Sequence, residues 1–204
     1  MNSLDYPQAI QDLIQSLKML PSIGSRSAER LALWMLNIDN KAKALDLART
    51  ISESLPTIAR CPECGFFTDH EGLCLACSSE ERNHNQICVV EQATDVLPIE
   101  RCGIYQGLYH CLGGKLNPLE DVEPEDLFIE KLLERVRERQ ECEVILATGS
   151  DVEGEATATY LSMLLHQIPN CHITRLAQGL PAGAGLGHAD VLTLMKALNG
   201  RTSC

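Results

Sequence analysis

The segment EVILATGSDVEGEATATYL, residues 143–161, joins an apolar run to a helix-like stretch through a loop rich in carboxylates. Within that loop Asp151, Glu153 and Glu155 lie inside five residues. Carboxylates this close repel one another unless water, cations or a bound metal ion relieve the repulsion. The loop is therefore a divalent-metal site, the remnant of one, or an acidic start to a helix, where the helix dipole favours negative charge.

The sequence around this segment alternates short apolar runs with amphipathic stretches. Strands are predicted at residues 87–90, 107–112, 143–148 and 172–177. Helices are predicted at residues 129–136, 153–167 and 189–198. Strands that alternate with helices indicate a mostly parallel sheet with both faces covered.

The first sixty residues differ from the rest in both pattern and charge. Helices are predicted at residues 7–19, from about residue 27, and at 39–54. Residues 1–60 carry seven Lys+Arg against six Asp+Glu, whereas the whole chain has a net charge of −11. The overall acidity argues against an extended nucleic-acid surface, but a local basic face on this first segment remains open.

The segment LPSIGSRSAERLA, residues 20–32, connects the first two predicted helices through a tight turn. Such a turn exposes backbone amides that suit a phosphate oxygen. Arg26 and Arg30 lie four residues apart, so they share a helix face and can contact the same nucleic-acid strand. The segment resembles a helix-hairpin-helix element, with Ser22 in place of the usual first glycine, and such elements bind the DNA backbone without reading bases. The alternative is an ordinary helix connection with solvated arginines.

Four cysteines form two closely spaced pairs in CPECGFFTDHEGLCLAC, residues 61–77. The pairs are Cys61 with Cys64 and Cys74 with Cys77. Two Cys-x-x-Cys turns supply the tetrahedral sulfur shell of a structural Zn²⁺ site, with no position open to substrate and one ion per chain. Gly65 and Gly72 are predicted at bends of a short hairpin between the pairs, and His70 is predicted to be exposed rather than a ligand. The alternative is two buried thiol pairs or redox dithiols.

The composition is that of an ordinary globular protein, with 45% hydrophobic and 22% charged residues. No apolar run is long enough to span a membrane, and the first residues lack a basic segment followed by an apolar one. We therefore expect a cytoplasmic protein without a membrane partner. In a reducing compartment, cysteine pairs favour metal binding over disulfides, and the six unpaired cysteines are expected to act as small buried hydrophobes.

Glu91, directly after the predicted strand at 87–90, extends the acidic loop. Because loops after parallel strands converge at one sheet edge, Glu91 is predicted beside Asp151, Glu153 and Glu155. The arrangement resembles the Toprim fold of topoisomerases and primases, which has a glutamate after the first strand and then an Asp-x-Asp loop. Asp151 matches the second aspartate, but Gly149 stands at the first. Phosphoryl transfer needs the full carboxylate set, so the resemblance implies partner docking or weak Mg²⁺ binding rather than catalysis.

Six blocks, in order and over nearly the whole chain, resemble the bacterial RecR family of recombination mediators. They are LPSIGSRSAERLA, the four-cysteine element, QICVVEQATDVLPIE, YHCLGGKLNPLEDVEPED, EVILATGSDVEGEATATYL and TRLAQGLPAGAGLGHADVLTLMKALNGR. The resemblance implies an α+β multi-domain protein with four regions. These are a helix-hairpin-helix DNA-binding region at 1–56, a four-cysteine zinc finger at 57–79, an α/β Toprim domain with a mostly parallel sheet at 80–176, and a C-terminal helical tail at 177–204 that packs on or between subunits.

The resemblance also implies a function. RecR-like proteins are non-catalytic, form dimers or tetrameric rings, and bind single-stranded or gapped duplex DNA. With RecO- and RecF-type proteins they promote loading of RecA recombinase onto DNA covered by single-strand-binding protein. In the tail, Gly187 and His188 stand where the family usually has an acidic and an aromatic residue.

Two other classes of function stay open. The acids favour a Mg²⁺-dependent Toprim nuclease or primase, and the absent first aspartate opposes it. The net charge of −11 favours a scaffold that only bridges partner proteins, and the helix-hairpin-helix resemblance opposes it.

Overall fold

The computed structural model describes residues 4–69, 71–177, 179–180, 183 and 185–201. The chain divides into two compact units, Met1–Ile58 and Ala59–Cys204. Among the described helices, none has both the length and the apolar character that a membrane crossing requires.

The first unit consists of three helices. They are α1 (Gln8–Lys18), α2 (Ser25–Leu36) and α3 (Lys41–Ser54). α1 packs against α2, and α2 also contacts α3. The packing is thin, because Ala28 and Ala32 are the only fully buried residues among those described in this unit. The unit therefore leaves much of its apolar surface in contact with solvent.

The second unit is built on a four-stranded parallel sheet. Its strands are β3 (Asn83–Val90), β4 (Gly107–Cys111), β5 (Cys142–Ala147) and β6 (Cys171–Arg175), in the order β4-β3-β5-β6. Val90 pairs with Cys111 on one side and with Ala147 on the other. The carboxyl ends of three strands therefore meet at the same edge of the sheet, as predicted.

Two short strands, β1 (Ala59–Arg60) and β2 (Phe67–Thr68), form an antiparallel hairpin ahead of the sheet. The predicted hairpin between the two cysteine pairs is wrong in position, because β1 and β2 instead enclose the first pair. The helices of the unit are α4 (Leu75–Ser78), α5 (Val96–Arg101), α6 (Ile129–Arg137), α7 (Val152–Leu165) and α8 (Val191–Asn199).

Both faces of the sheet are covered by buried side chains. On one face, Ile87 and Val144 pack with Leu132 of α6 and Leu161 of α7. On the other face, Cys88, Val90 and Tyr109 pack with Ala93 and with Val96 of α5. The predicted fold class, a helical segment followed by a four-cysteine element, a covered parallel sheet and a final helix, is confirmed.

The unpaired cysteines have mixed surroundings. Cys88, Cys111 and Cys142 are buried and behave as the small hydrophobes that the sequence predicts, and Cys171 is half-buried. Cys102 is exposed, contrary to that expectation, because it follows the short helix α5 at the surface. Cys204 lies outside the described residues.

Candidate functional site

The four paired cysteines converge on one point. Their sulfur atoms all lie within 4.8 Å of one another, and the Sγ atoms of Cys64 and Cys74 are 3.5 Å apart. In a tetrahedral shell with Zn–S bonds of about 2.3 Å, neighbouring sulfur atoms are about 3.8 Å apart. Three of the cysteines are buried and Cys77 is half-buried. The donor set therefore fits a structural zinc ion held by sulfur alone.

The local backbone explains how the cysteines meet. Cys61 and Cys64 lie in the turn of the β1–β2 hairpin, where the N–H of Gly65 donates to the carbonyl of Cys61 over 2.9 Å. Gly65 has a φ of +72°, and a Cβ there would lie 2.7 Å from the carbonyl oxygen of Cys111, so the turn requires glycine. Cys74 caps the N-terminus of α4, which carries Cys77. His70 lies outside the described residues.

The thiols also share protons. Hydrogen bonds with Cys64 and Cys77 lower the pKa of Cys74, and the bond to Cys74 raises the pKa of Cys64. A bound metal ion displaces the remaining protons, because only thiolates act as ligands.

Glu91 lies beside the acidic loop. Its Oε1 accepts a hydrogen bond from the N–H of Gly149 over 2.6 Å, at the shared edge of β3 and β5. Asp151 caps the N-terminus of α7, with Oδ1 accepting from the N–H of Gly154 over 2.8 Å. Glu153 lies in the first turn of the same helix. The acidic start of α7 is therefore stabilised by ordinary helix capping.

The acids at this edge are held by cations from elsewhere in the chain. Lys115 pairs with Asp151, and this hydrogen bond lowers the pKa of the aspartate and raises that of the lysine. Glu155 pairs with Arg175 over 2.9 Å and with Lys196 of α8 over 3.1 Å.

Asp151 and Glu155 are thus each engaged by cations. Among the described residues, only the four cysteines bring three or more potential ligand atoms together. The cations could not be predicted as partners of the acids, because nothing in their sequence spacing links the two groups.

The hairpin between α1 and α2 has an unusual backbone. Ser22 has a φ of +66°, in the left-handed region that glycine occupies easily. Gly24 then caps α2 with an extended backbone. Arg26 and Arg30 are both exposed on α2, and neither forms an ion pair with any residue that the structure describes. The structure thus retains the turn of a helix-hairpin-helix with serine at the glycine position.

The described part of the tail contains α8. Gly187 and His188 belong to a single 3₁₀ turn, Leu186–His188, ahead of that helix. Asp190 caps α8, with Oδ1 accepting from the N–H of Thr193 over 2.9 Å. Lys196 donates to the carbonyl of Ser150 over 3.0 Å, so α8 is tied to the acidic loop.

Comparison with known proteins finds three family models that match parts of the chain and relatives that match nearly all of it. Family models for the RecR helix-hairpin-helix, the Toprim domain and the RecR C-terminal region match residues 10–55, 85–177 and 179–202. Recombination protein RecR of Moorella thermoacetica is 44% identical over 96% of this chain and 97% of its own length. The protein of the same name from Bifidobacterium adolescentis is 45% identical over 98% of both chains. With this identity over nearly the full length, the chain belongs to the RecR family.

Proposed function

We propose that the protein is a non-catalytic mediator of DNA repair and recombination that binds DNA through its first unit. The observation that carries this proposal is the exposed pair Arg26 and Arg30, directly after the hairpin that matches the RecR helix-hairpin-helix model. The turn amides and the two guanidinium groups suit the phosphates of single-stranded or gapped duplex DNA.

The proposed binding is weak for a single chain and strengthened by assembly. Two arginines per chain give a salt-sensitive contact, and an oligomer repeats that contact in every subunit. We propose a dimer or a tetrameric ring, which is supported by the solvent-exposed apolar side chains of the first unit and of α8. They include Trp34, Ile38, Leu45, Ile51, Leu55, Leu192, Met195 and Leu198. A monomer in sedimentation at micromolar concentration would contradict the assembly.

Loss of the two arginines tests the DNA assignment. The double variant Arg26→Ala/Arg30→Ala is expected to bind gapped DNA at least about 10-fold more weakly, and to lower the salt slope by about 1.4 to 1.8 per chain. The double variant Lys41→Ala/Lys43→Ala removes the same charge from exposed positions of α3 and is expected to bind nearly as the wild type does. Unchanged affinity and salt slope in the first variant would refute the assignment.

We further propose that the protein works with RecO- and RecF-type proteins to load RecA recombinase. Membership of the RecR family supports this role. The readout is the RecA ATPase rate on gapped DNA covered by single-strand-binding protein, which is expected to rise only when the RecO-type partner and this protein are both present. An unchanged rate would contradict the proposal.

The proposed organisation follows the regions at 1–56, 57–79, 80–176 and 177–204, with one structural zinc ion in the second. The family matches support the other three regions, and the converging sulfur atoms support the zinc. Zinc supplies no chemistry to a substrate in this proposal, because Cys61, Cys64, Cys74 and Cys77 fill its coordination shell.

A Mg²⁺-dependent nuclease or primase is the alternative from the enzyme class. End-labelled gapped DNA incubated with the protein and Mg²⁺, then split between a native and a denaturing gel, separates the possibilities. A shifted band with intact strands is expected. Cleavage that disappears in Asp151→Ala would establish the nuclease, and the absence of any shift would favour a scaffold that only bridges proteins.

Lys115 bears directly on weak Mg²⁺ binding, because a divalent cation must compete with its ammonium group for Asp151. The negative charges of Glu91 and Glu153 also raise the pKa of Lys115, so the lysine stays charged at this edge. The variant Lys115→Met is expected to bind Mn²⁺ or Mg²⁺ at least about 10-fold more tightly than the wild type in calorimetric titration. Lys196→Met is the control, because Glu155 keeps Arg175 there. Equal affinity in wild type and Lys115→Met would show that the lysine does not compete.

A further inference from the structure

Arg135 of α6 is buried beside the cysteine cluster. It is 1% exposed, and no other lysine or arginine among the described residues is fully buried. A buried guanidinium is costly unless opposite charge and hydrogen-bond acceptors surround it. The surroundings of Arg135 therefore indicate what holds it there.

At one end of the guanidinium, Nη1 forms hydrogen bonds with residues of the sheet. It donates to the carbonyl of Tyr109 over 2.8 Å and to Nδ1 of His110 over 3.0 Å. His110 in turn donates from Nε2 to the carbonyl of Phe128 over 2.6 Å. Burial, with the nearby charge of Arg135, lowers the pKa of His110 to about 3, so the imidazole is neutral and free to accept.

The other end of the guanidinium faces the cysteine cluster. Nη2 lies 4.0 Å from Sγ of Cys77, and Nε lies 3.5 Å from Oε2 of Glu63. Nε is buried and makes no hydrogen bond within the described part of the chain. Glu63 lies between the cysteines of the first pair, and Lys131 of α6 binds its other oxygen over 3.3 Å. Arg135 therefore touches both Cys-x-x-Cys turns, through Cys77 in one and Glu63 in the other.

A zinc ion held by four thiolates carries a net charge of about −2. The Arg135 guanidinium is the buried cation that faces this charge. Its contact with Cys77 is long when the sulfur is a neutral thiol, which is a weak acceptor. A thiolate bound to metal is a stronger, charge-assisted acceptor for the same donor.

We propose that Arg135 is a positioning residue of the metal centre. It donates to the Cys77 thiolate and links metal loading to the packing of α6 against the sheet. This inference rests on the proposed zinc site. Partners outside the ligand shell usually alter metal affinity by about 10- to 100-fold, which sets the size of the expected effect.

The test compares Arg135→Met, Arg135→Lys and the control Lys131→Met, which loses a Glu63 partner but no sulfur contact. Zinc affinity is measured by competition with a chromogenic chelator. The sulfur-to-metal charge-transfer band is measured on Co²⁺-substituted protein. Arg135→Met is expected to bind zinc about 10- to 100-fold more weakly and to shift the band to lower energy, because its thiolates lose a stabilising donor. Lys131→Met is expected to stay within about threefold of wild type.

Thermal unfolding separates this role from plain core packing. Metal removal is expected to lower the melting temperature less in Arg135→Met than in the wild type, because the link between the metal and α6 is lost. Equal zinc affinity and an unshifted band, with loaded and stripped forms destabilised alike, would overturn the proposal. If Arg135→Met does not fold, the same measurements are made on Arg135→Lys. Its zinc affinity and charge-transfer energy are expected to lie between those of the wild type and the values expected for Arg135→Met. Values equal to those of the wild type would contradict the proposal. If the wild-type protein binds no metal tightly, the proposed zinc site itself is refuted.

Discussion

The variant Cys64→Ser is expected to lose its zinc and about 3 to 5 kcal/mol of stability in the second unit. The side chain is fully buried among the other ligands, and serine does not supply the soft thiolate that zinc selects. The loss is smaller than the whole binding free energy of a zinc-finger peptide, because the sheet of this unit has its own buried core. In a unit of this size the expected fall in melting temperature is about 10 °C.

Elemental analysis and thermal unfolding measure this effect together. The wild type is expected to hold one zinc ion per chain, and Cys64→Ser close to none. The matched control is Cys102→Ser, which changes an exposed cysteine outside the cluster and is expected to keep both the zinc and the melting temperature. Purified wild-type protein without zinc, or Cys64→Ser with a full complement, would contradict the assignment.

The second large effect is expected for Gly154→Ala in the first turn of α7. Gly154 is buried, and a Cβ there would clash with the carbonyl oxygen of Gly149 and lie 2.8 Å from its carbonyl carbon. It would also lie 2.9 Å from Oδ1 of Asp151. These neighbours are mostly backbone, so the loop must move and lose both the helix cap and the contact with Glu91. The expected cost is about 3 kcal/mol of unfolding free energy.

Urea unfolding followed by circular dichroism measures that cost. Gly149→Ala is the comparison in the same loop, because the nearest atom to its Cβ is the flexible side-chain oxygen Oε1 of Glu91, at 3.1 Å. That variant is expected to lose no more than about 1 kcal/mol. An unchanged urea midpoint in Gly154→Ala would mean that the loop is not held as the structure shows.

The features that sequence could predict are those set by local spacing or by strand direction. The cysteine cluster follows from two short spacings, and the approach of Glu91 to the acidic loop follows from the common direction of parallel strands. The Ser22 turn was also visible, because the neighbouring pattern required a helix break there. The two-residue strands β1 and β2 were not predicted, because such short strands leave no alternation of apolar and polar residues to detect.

The charged partners could not be predicted. Lys115 and Asp151 are 36 residues apart, Lys196 and Glu155 are 41 apart, and Arg135 and Cys77 are 58 apart. Each pair is brought together only by packing across the sheet or by the return of the final helix. A lysine on a loop has the same appearance in sequence whether it faces solvent or a carboxylate. The neutralisation of the acidic edge is therefore visible only in the folded chain.

The thin packing of the first unit has a further consequence. Two buried alanines do not account for the stability of a three-helix segment, since most helical stability comes from tertiary packing. In the proposed oligomer, neighbouring chains supply that packing. The folded fraction of this segment then depends on protein concentration. Dilution that separates the chains would then also unfold the segment that is proposed to bind DNA. The concentration of the protein would therefore set the fraction of chains whose first unit is folded and, under the proposed function, able to bind DNA.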